Sequence, residues 1–402
     1  MALRSLLAAV AVGGAAAAFS AASSVTSPVT THLVMPLVRL LDPETAHVMA
    51  VRVAASGLLP TTRADAHPSL ATTVWGKQFS NPIGLAAGFD KHADCIDAML
   101  GVGFGFVEIG SVTPVAQPGN PKPRVFRLTD DRAVINRYGF NSFGLDYAHD
   151  RLSERVADPA ARGFQHGIVG VNLGKNKTTV DAADDYVQGI NKLGKFADYI
   201  VVNISSPNTP GLRSLQGKQE LGALIDRVLV ARDRLGLPSQ ASAAVRGRVP
   251  PLLVKIAPDL TPADKEDIAS VLMDKKVDGL IVSNTTISRP ATLKSPASLT
   301  QETGGLSGAP LRQLATETVR DMYTLTQGRL PIIGVGGVST GDDAFEKILA
   351  GASLVQLYSS IVYDGPGIVP KIQSRLAELL AENSFTSVSD AVGAEHRGFR
   401  RK

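Results

Sequence analysis

Eight short apolar runs rich in valine and isoleucine recur after residue 66, and a stretch with helical character follows each of them. Parallel strands are buried on both faces and therefore read as near-continuous apolar runs. Eight of them alternating with helices predict a (β/α)8 TIM barrel, an α/β fold. A doubly wound sheet is the alternative, but no GxGxxG follows the first run. The runs are NPIGLAAG, FVEIGSV, GIVGVNLG, DYIVVNIS, PLLVKIA, GLIVSNT, PIIGVGGV and SLVQLYSS.

Charge and cysteine content exclude several classes of function. The 402 residues carry a formal net charge of only +4, with lysine and arginine spread along the chain, so no nucleic-acid partner is expected. Cys95 is the single cysteine, which excludes an internal disulfide and any site built from several cysteines. The seven histidines show no HxH or HExxH spacing, and we therefore expect no metal site.

The first 29 residues differ from the rest of the chain. The stretch LLAAVAVGGAAAAFSAA carries no charge, and no acidic residue occurs before Asp42. A secretory signal peptide, a mitochondrial presequence and a retained membrane anchor all share these properties. Residues of this segment alone do not separate the three interpretations.

A second N-terminal unit, residues 30–66, has apolar residues at helical spacing. Asp42 and Pro43 predict the start of a helix, with Asp42 as the N-cap, and Gly57 and Pro60 predict its end. The unit therefore reads as two short amphipathic helices. They either cap the main domain or lie on a membrane surface.

Polar and small residues gather at the carboxyl ends of the eight runs. In a barrel these ends meet at one mouth, where active sites lie. Asparagine and serine also form ordinary turns, but their repetition at matching positions favours a binding site. The mouth would suit a planar polar ligand with a phosphate, since glycines after the last two strands match the common barrel phosphate site. These strand-end residues are Ala86, Ala87, Gly88, Lys91, Gly110, Ser111, Asn172, Asn203, Ser206, Lys255, Ser283, Asn284, Thr285, Gly336, Gly337, Tyr358 and Ser359.

Long motifs from about His32 onward resemble the membrane-associated, quinone-linked class of dihydroorotate dehydrogenases. The motifs include AAGFDKHAD, FGFVEIGSVTP, INRYGFNSFG, GVNLGKNK, VVNISSPNTPGLRSLQ, VKIAPDL, TGGLSGAPL, IIGVGGV and GASLVQLYS. The resemblance implies an FMN-containing barrel, residues 67–402, that oxidises (S)-dihydroorotate to orotate in pyrimidine (UMP) biosynthesis. Electrons would then pass to ubiquinone, and no obligate protein partner is implied.

The resemblance also implies a role for individual residues. Ser206 would be the catalytic base. Substrate would contact Lys91, Asn136, Arg137, Tyr138, Gly139, Phe140, Asn203, Asn208, Asn284 and Thr285. FMN would contact Ala86, Ala87, Gly88, Gly110, Ser111, Asn172, Asn203, Lys255, Ser283, Gly308, Gly337, Tyr358 and Ser359.

The two N-terminal units gain a purpose from the same resemblance. Residues 30–66 would form a hydrophobic quinone tunnel that opens to the lipid bilayer, with His47, Arg127 and Tyr358 along it. Residues 1–29 would be a mitochondrial targeting segment joined to a single transmembrane anchor in the inner membrane. Val38 and Arg39 depart from the animal pattern, and this departure concerns details of the quinone site, not the class of electron acceptor.

The residues alone are also compatible with three other functions. Another FMN-dependent barrel oxidoreductase could act on a different pyrimidine or use a different acceptor, although Ser206 and the helical pair argue against it. A lyase using Lys255 as a Schiff base would contain no flavin. A non-catalytic scaffold would need no ring of polar strand ends.

Overall fold

The computed structural model describes residues 24–61, 67–157, 167–236 and 249–400. Most of the expected targeting and anchor segment, residues 1–23, lies outside the described residues. Thirteen strands form three sheets among the described residues. In chain order they are β1 Thr72–Val74, β2 Lys77–Phe79, β3 Ile83–Leu85, β4 Phe106–Val112, β5 Val125–Leu128, β6 Ala133–Asn136, β7 Ile168–Leu173, β8 Tyr199–Asn203, β9 Leu252–Ile256, β10 Gly279–Val282, β11 Gly305–Gly308, β12 Ile332–Val335 and β13 Leu354–Leu357.

Helices surround the strands. The described α-helices are α1 Met35–Val38, α2 Pro43–Ala55, α3 Ile96–Gly101, α4 Gly144–Ala157, α5 Ala182–Leu193, α6 Lys218–Arg234, α7 Pro262–Asp274, α8 Ala297–Thr300, α9 Arg312–Leu325, α10 Gly341–Leu349, α11 Ser359–Asp364, α12 Ile368–Glu382 and α13 Val388–Ala391. A π-helical turn, Thr30–Val34, runs into α1. Shorter 3₁₀ turns span Pro68–Leu70, Thr129–Asp131, Gly194–Phe196, Arg213–Gln216, Ala309–Leu311 and Ala394–Arg397.

The eight predicted runs all contain strands of one closed parallel barrel, which confirms the TIM-barrel prediction. The order around the barrel is β3, β4, β7, β8, β9, β10, β12 and β13, and β13 pairs with β3 to close it. Every neighbouring pair is parallel, so all eight carboxyl ends point to the same mouth.

Large side chains fill the barrel below the mouth. Phe106, Tyr199, Leu253 and Ile333 belong to a buried cluster inside the barrel. Trp75, on the turn between β1 and β2, packs against this cluster, and its indole donates to the Asp278 carbonyl oxygen at 2.8 Å. A closed and solid floor of this kind leaves the opposite end of the barrel free to hold a ligand.

A second sheet, which the sequence did not predict, stands beside the mouth. Strands β5, β6 and β11 form an antiparallel sheet in the order β11-β6-β5. Ala133 and Ile135 of β6 are buried against Leu306, whereas Val134 and Asn136 face the cavity at the barrel mouth. The alternation along β6 therefore gives this small sheet one core face and one ligand face.

The N-terminal helical pair covers the mouth from the other side. Helix α2 begins as predicted, because the Asp42 side chain accepts a hydrogen bond from the Thr45 backbone N–H at 2.9 Å and Pro43 follows. A bidentate ion pair holds α2 to the segment that leads into β5 of the small sheet, with Arg124 Nη2 and Nε at 2.8 and 3.1 Å from the Glu44 carboxylate. Among the described residues, no helix has the length and apolar character needed to cross a bilayer.

Candidate active site

One cavity of about 310 Å³ extends from the barrel mouth to the N-terminal helices. The carboxyl ends of the barrel strands form its deep end. The ligand face of the small sheet forms one side, and α1 and α2 form the outer wall. The cavity therefore has a polar deep end and an apolar outer end.

Amide and hydroxyl groups form a hydrogen-bonded ring at the deep end. Asn203 Nδ2 donates to Ser111 Oγ at 3.0 Å and to Asn172 Oδ1 at 3.1 Å, and Ser111 Oγ donates to the same Asn172 oxygen. Asn284 Nδ2 donates to Ser205 Oγ at 3.0 Å. Three barrel strands contribute to this ring directly, and it offers a ligand several fixed donors and acceptors.

Lys255 lies at the same end. It belongs to β9, is 5% exposed and lines the cavity. Burial lowers the pKa of Lys255, and the nearby charge of Glu108 opposes that shift. The sequence signal for this residue, a charge inside an apolar run, therefore marks a lysine that faces the cavity.

The loop that carries Ser206 follows β8 and packs against the end of β6. Ser206 is 7% exposed, and its Oγ accepts a hydrogen bond from the Asn208 backbone N–H at 3.3 Å. The Asn208 side chain donates to the Asn136 carbonyl oxygen at 3.1 Å. These contacts bring Ser206, Asn208 and Asn136 to one side of the cavity.

An arginine that sequence reasoning missed supports this loop. The guanidinium of Arg213 donates to the carbonyl oxygens of Ser205 and Thr285 at 3.0 and 2.9 Å, and it pairs with Asp259 at 2.9 Å. It therefore ties the Ser206 loop to the end of β10. The only sequence signal was its place just after the Pro-rich turn.

Lys91 also lines the cavity and lies against Tyr138. Its Nζ lies 3.3 Å from the centroid of the Tyr138 ring. Burial, together with the charge of Arg124, lowers the pKa of Lys91 to about 7. An ammonium group in this position is available to an anionic ligand and is weakly held by other charges.

The outer end contains the three residues expected along the tunnel. His47 Nε2 lies 2.8 Å from the Phe89 carbonyl oxygen, and its Nδ1 lies 3.3 Å from the Tyr138 hydroxyl oxygen. Burial lowers the pKa of His47 to about 3, so the imidazole is neutral near pH 7. Arg127 donates to the Arg39 carbonyl oxygen at 2.6 Å, while its Nε is buried without a partner among the described residues.

The outer wall itself is apolar on both sides. Met35, Val38, Ala46 and Val53 are among its cavity-lining residues. On the opposite surface of the N-terminal helical pair, apolar side chains are exposed to solvent. Leu40 is 80% exposed, and Leu33, Val48 and Leu58 are exposed to a smaller extent. A helix pair buried on one face and apolar on the other has two surfaces that avoid water.

A glycine turn that follows β12 also lines the cavity and suits an anionic group. Gly336 and Gly337 follow β12 with φ of +124° and +72°, and Gly308 has φ of +95°. A Cβ on Gly337 would lie 2.5 Å from the Arg312 Cα, so only glycine fits this turn. The buried Oγ of Ser360 lines the cavity and has no hydrogen-bond partner among the described residues. An orphaned hydroxyl beside a glycine turn fits a ligand with a phosphate.

Most of the residues expected from the sequence line this one cavity. They are Ala86, Ala87, Gly88, Lys91, Ser111, Asn136, Tyr138, Gly139, Phe140, Asn203, Ser206, Asn208, Lys255, Ser283, Asn284, Thr285, Gly308, Gly337, Tyr358 and Ser359, with His47 and Arg127 at the outer end. Gly110 and Asn172 lie just behind the lining. The Gly110 carbonyl oxygen accepts from the Gly88 N–H at 2.8 Å, and Asn172 belongs to the hydrogen-bonded ring.

Arg137 does not face the cavity. Its guanidinium pairs with Glu302, donates to the Pro123 carbonyl oxygen at 3.0 Å and stacks over the Phe126 ring. The reason is alternation along an extended segment, because Asn136 and Tyr138 on either side of Arg137 point into the cavity. Its position does not support the expected contact with substrate.

Known proteins resemble this chain over nearly its whole length. A family model described as Dihydroorotate dehydrogenase matches residues 69–380. The mouse protein named Dihydroorotate dehydrogenase (quinone), mitochondrial is 53% identical over 397 residues, which cover 98% of each chain. Dihydroorotate dehydrogenase (quinone) of Rhodospirillum rubrum is 53% identical over 365 residues, 91% of this chain and 94% of that protein.

A solved structure agrees with these relatives. The crystal structure of the Eimeria tenella enzyme in complex with ferulenol superimposes with a TM-score of 0.85 at 46% identity, covering 89% of this chain and 96% of that one. The family model alone spans more than half of the present chain. The chain therefore belongs to the dihydroorotate dehydrogenase family, in its quinone-linked class.

Proposed function

We propose that this protein oxidises (S)-dihydroorotate to orotate with FMN as its cofactor and ubiquinone as its electron acceptor, as a step of pyrimidine (UMP) biosynthesis. The observation that carries the proposal is that one continuous cavity joins a polar, serine-containing end to an apolar outer end. A polar heterocycle suits the first, and a quinone suits the second.

Substrate binding would use the residues around Lys91 and the Ser206 loop. The ammonium of Lys91 would face the carboxylate of dihydroorotate, and the side chains of Asn136, Asn203 and Asn284 would hold the ring amide and carbonyl edges. The hydrogen bonds that already fix these amides mean that little ordering remains when the substrate binds.

Ser206 would take the proton that leaves the substrate carbon. A serine hydroxyl is a weak base at ordinary pH, so it can act only where its geometry is fixed and the proton is passed on. Its geometry is supported by the hydrogen bond from Asn208 and by the Arg213 side chain, which holds the preceding residue. Positioning of this kind can lower the barrier by several kcal/mol, about 7–11 in favourable cases.

The cofactor would lie along the deep end and the glycine turn. Bound FMN would supply the hydride acceptor for dihydroorotate and the electron donor for the quinone. The hydrogen-bonded ring of Ser111, Asn172 and Asn203, together with Lys255, would hold the polar edge of the flavin. The backbone of Gly308 and Gly337, with Ser359, would hold the FMN phosphate. The orphaned Ser360 hydroxyl and the positive φ of Gly308 and Gly337, a backbone conformation common in anion-binding turns, support this assignment.

The helical pair would admit the quinone and rest on the membrane. Its apolar inner face, with His47, Arg127 and Tyr358, would line the path for ubiquinone, and its exposed leucines would contact lipid. We further propose that the protein resides at the mitochondrial inner membrane, where residues 1–29 would target and anchor it. The mitochondrial name of the mouse relative supports that location.

The decisive experiment is an anaerobic addition of dihydroorotate to the purified protein while the visible flavin absorbance is followed. We expect rapid bleaching, with colour restored by a soluble ubiquinone analogue. A yellow protein that does not bleach would be a flavin-containing barrel enzyme with a different substrate. A colourless protein that cannot be reconstituted with FMN would contradict the proposal.

A further inference from the structure

A buried carboxylate lies behind the deep end of the cavity, inside an apolar run. Glu108 of β4 is 0% exposed. Its Oε1 accepts from Asn172 Nδ2 at 2.8 Å, and its Oε2 accepts from the Tyr199 hydroxyl at 3.1 Å and from Gln356 Nε2 at 2.8 Å. An ionised carboxylate only accepts hydrogen bonds, and this position supplies three neutral donors. None of the three neutralises its charge.

The charge partner of Glu108 is Lys255. Lys255 Nζ lies 4.0 Å from Glu108 Oε1, and in the described part of the chain no other carboxylate lies as close to that nitrogen. A buried ammonium without a counter-ion is strongly disfavoured and tends to lose its proton. Burial does lower the pKa of Lys255, and Glu108 is the group that opposes the shift.

The two charges hold different positions relative to the cavity. Lys255 lines the cavity, whereas Glu108 does not and stands behind it. The carboxylate is held there by side chains from β7, β8 and β13, so its distance from the cavity is fixed by four strands. A ligand at the deep end would meet the positive member of the pair first.

We propose that Glu108 is a positioning residue that keeps Lys255 in its ammonium form, and that it thereby raises the reduction potential of the bound flavin. The inference rests on the proposed function, since it concerns the FMN expected at this end of the cavity. A fixed positive charge beside a flavin favours electron uptake. Without Glu108, burial would lower the pKa of Lys255 with no nearby carboxylate to oppose it, and the positive charge available to the flavin would diminish.

The direction in which Glu108→Gln shifts the midpoint potential of the flavin tests this role. If Glu108→Gln removed only a negative charge, the midpoint potential of the flavin would rise. If the variant also loses the Lys255 proton, the closer charge disappears and the potential falls. We expect the midpoint potential to fall. When the holoenzyme is equilibrated anaerobically with a reference redox dye, the ratio of oxidised to reduced flavin should rise about tenfold. Loss of a buried charge at the deep end of the cavity is worth a factor of that order.

A second background separates the charge effect from a structural one. Arginine keeps its proton in proteins, so in Lys255→Arg protein the addition of Glu108→Gln should raise the potential. FMN content and circular dichroism of each variant would be measured beside the potential. An unchanged or raised potential in the Glu108→Gln single variant would overturn the proposal.

A variant that retains the charge covers the case in which Glu108→Gln does not fold. Glu108→Asp withdraws the carboxylate from Lys255 by one methylene, and we expect a smaller fall of the same sign. No fall in that variant would also overturn the role of Glu108. Failure of the proposed function would be seen separately, because wild-type protein would then lack FMN or would not be bleached by dihydroorotate.

Discussion

The ammonium group of Lys91 stacks on the ring of Tyr138, 3.3 Å from its centroid. At the edge of the same ring, the Tyr138 hydroxyl oxygen lies 3.3 Å from His47 Nδ1 in helix α2. One aromatic side chain thus contacts both the residue expected to bind the substrate carboxylate and the helical pair expected to admit quinone. Among the described residues, no carboxylate forms an ion pair with Lys91, and a cation held by a ring alone keeps its charge available to an incoming anion.

The lowered pKa of Lys91 predicts that orotate binding weakens above neutral pH. The ammonium is present below its pKa of about 7 and is lost as the pH rises through that value. We expect the Kd for orotate, followed by perturbation of the flavin spectrum, to rise towards about tenfold per pH unit above 7. Because a bound carboxylate favours the ammonium, the pKa of Lys91 is higher in the complex, and the Kd should stop rising once the pH exceeds that higher pKa.

The control for this pH profile is a pair of lysine variants. Lys91→Gln should bind orotate weakly at every pH and lose the dependence. Lys177→Gln, which changes an exposed lysine, should retain it. An orotate Kd that stayed constant between pH 6 and 9 in the wild-type protein would argue against Lys91 as the carboxylate partner.

Ser206→Ala is expected to keep FMN and lose most of its reaction with dihydroorotate. The Ser206 hydroxyl is the proposed acceptor of the substrate proton, and a positioned base contributes about 10²–10⁴-fold to such a step. Stopped-flow bleaching of the flavin measures it directly. Ser214→Ala removes a nearby hydroxyl whose one hydrogen bond within the described structure goes to the Gly211 carbonyl oxygen, and it should react normally. Near-normal bleaching of Ser206→Ala would remove the proposed base.

Gly337→Ala is expected to release FMN from an otherwise folded barrel. The added Cβ would meet the Arg312 Cα at 2.5 Å, and φ of +72° costs a non-glycine residue about 1–2 kcal/mol. The turn must therefore move, and we expect FMN affinity to fall at least about tenfold. Gly76→Ala is the matched control, because φ is +68° with no atom within 4 Å of the new Cβ. Equal FMN release from both variants would point to strain alone.

Tyr358→Phe is expected to slow reoxidation by quinone more than reduction by dihydroorotate. Burial raises the pKa of Tyr358, so its hydroxyl remains a hydrogen-bond donor at the outer end of the cavity. Loss of one such donor to a quinone oxygen corresponds to about tenfold in rate. The two half-reactions are timed separately by stopped flow, with Tyr147→Phe on the surface as the control. Equal slowing of both half-reactions would contradict a quinone contact.

The barrel was predictable because burial leaves a direct mark on composition. Strands covered on both faces must be apolar along their length, and each of the eight runs contains one barrel strand. Since parallel strands share one direction, the polar residues that follow them had to meet at one mouth. The N-cap at Asp42 was equally local, because its partner lies three residues away.

The β5–β6–β11 sheet left no comparable mark. Its strands have four residues each, and β11 joins β6 from about 170 positions along the chain, as the pairing of Gly305 with Asn136 shows. Short strands of mixed polarity carry little periodicity, and the sequence of neither segment predicts that it pairs with a distant one.

Individual side chains divide in the same way. The barrel, its mouth and the residue types around it can be read from the chain alone, because they follow from local burial and strand direction. The folded arrangement was needed to show that Arg137 points away from the cavity, that Arg213 braces the Ser206 loop and that Glu108 stands behind Lys255. Each of these depends on which distant groups meet in space, and a hydrophobic pattern reports burial without naming the partner.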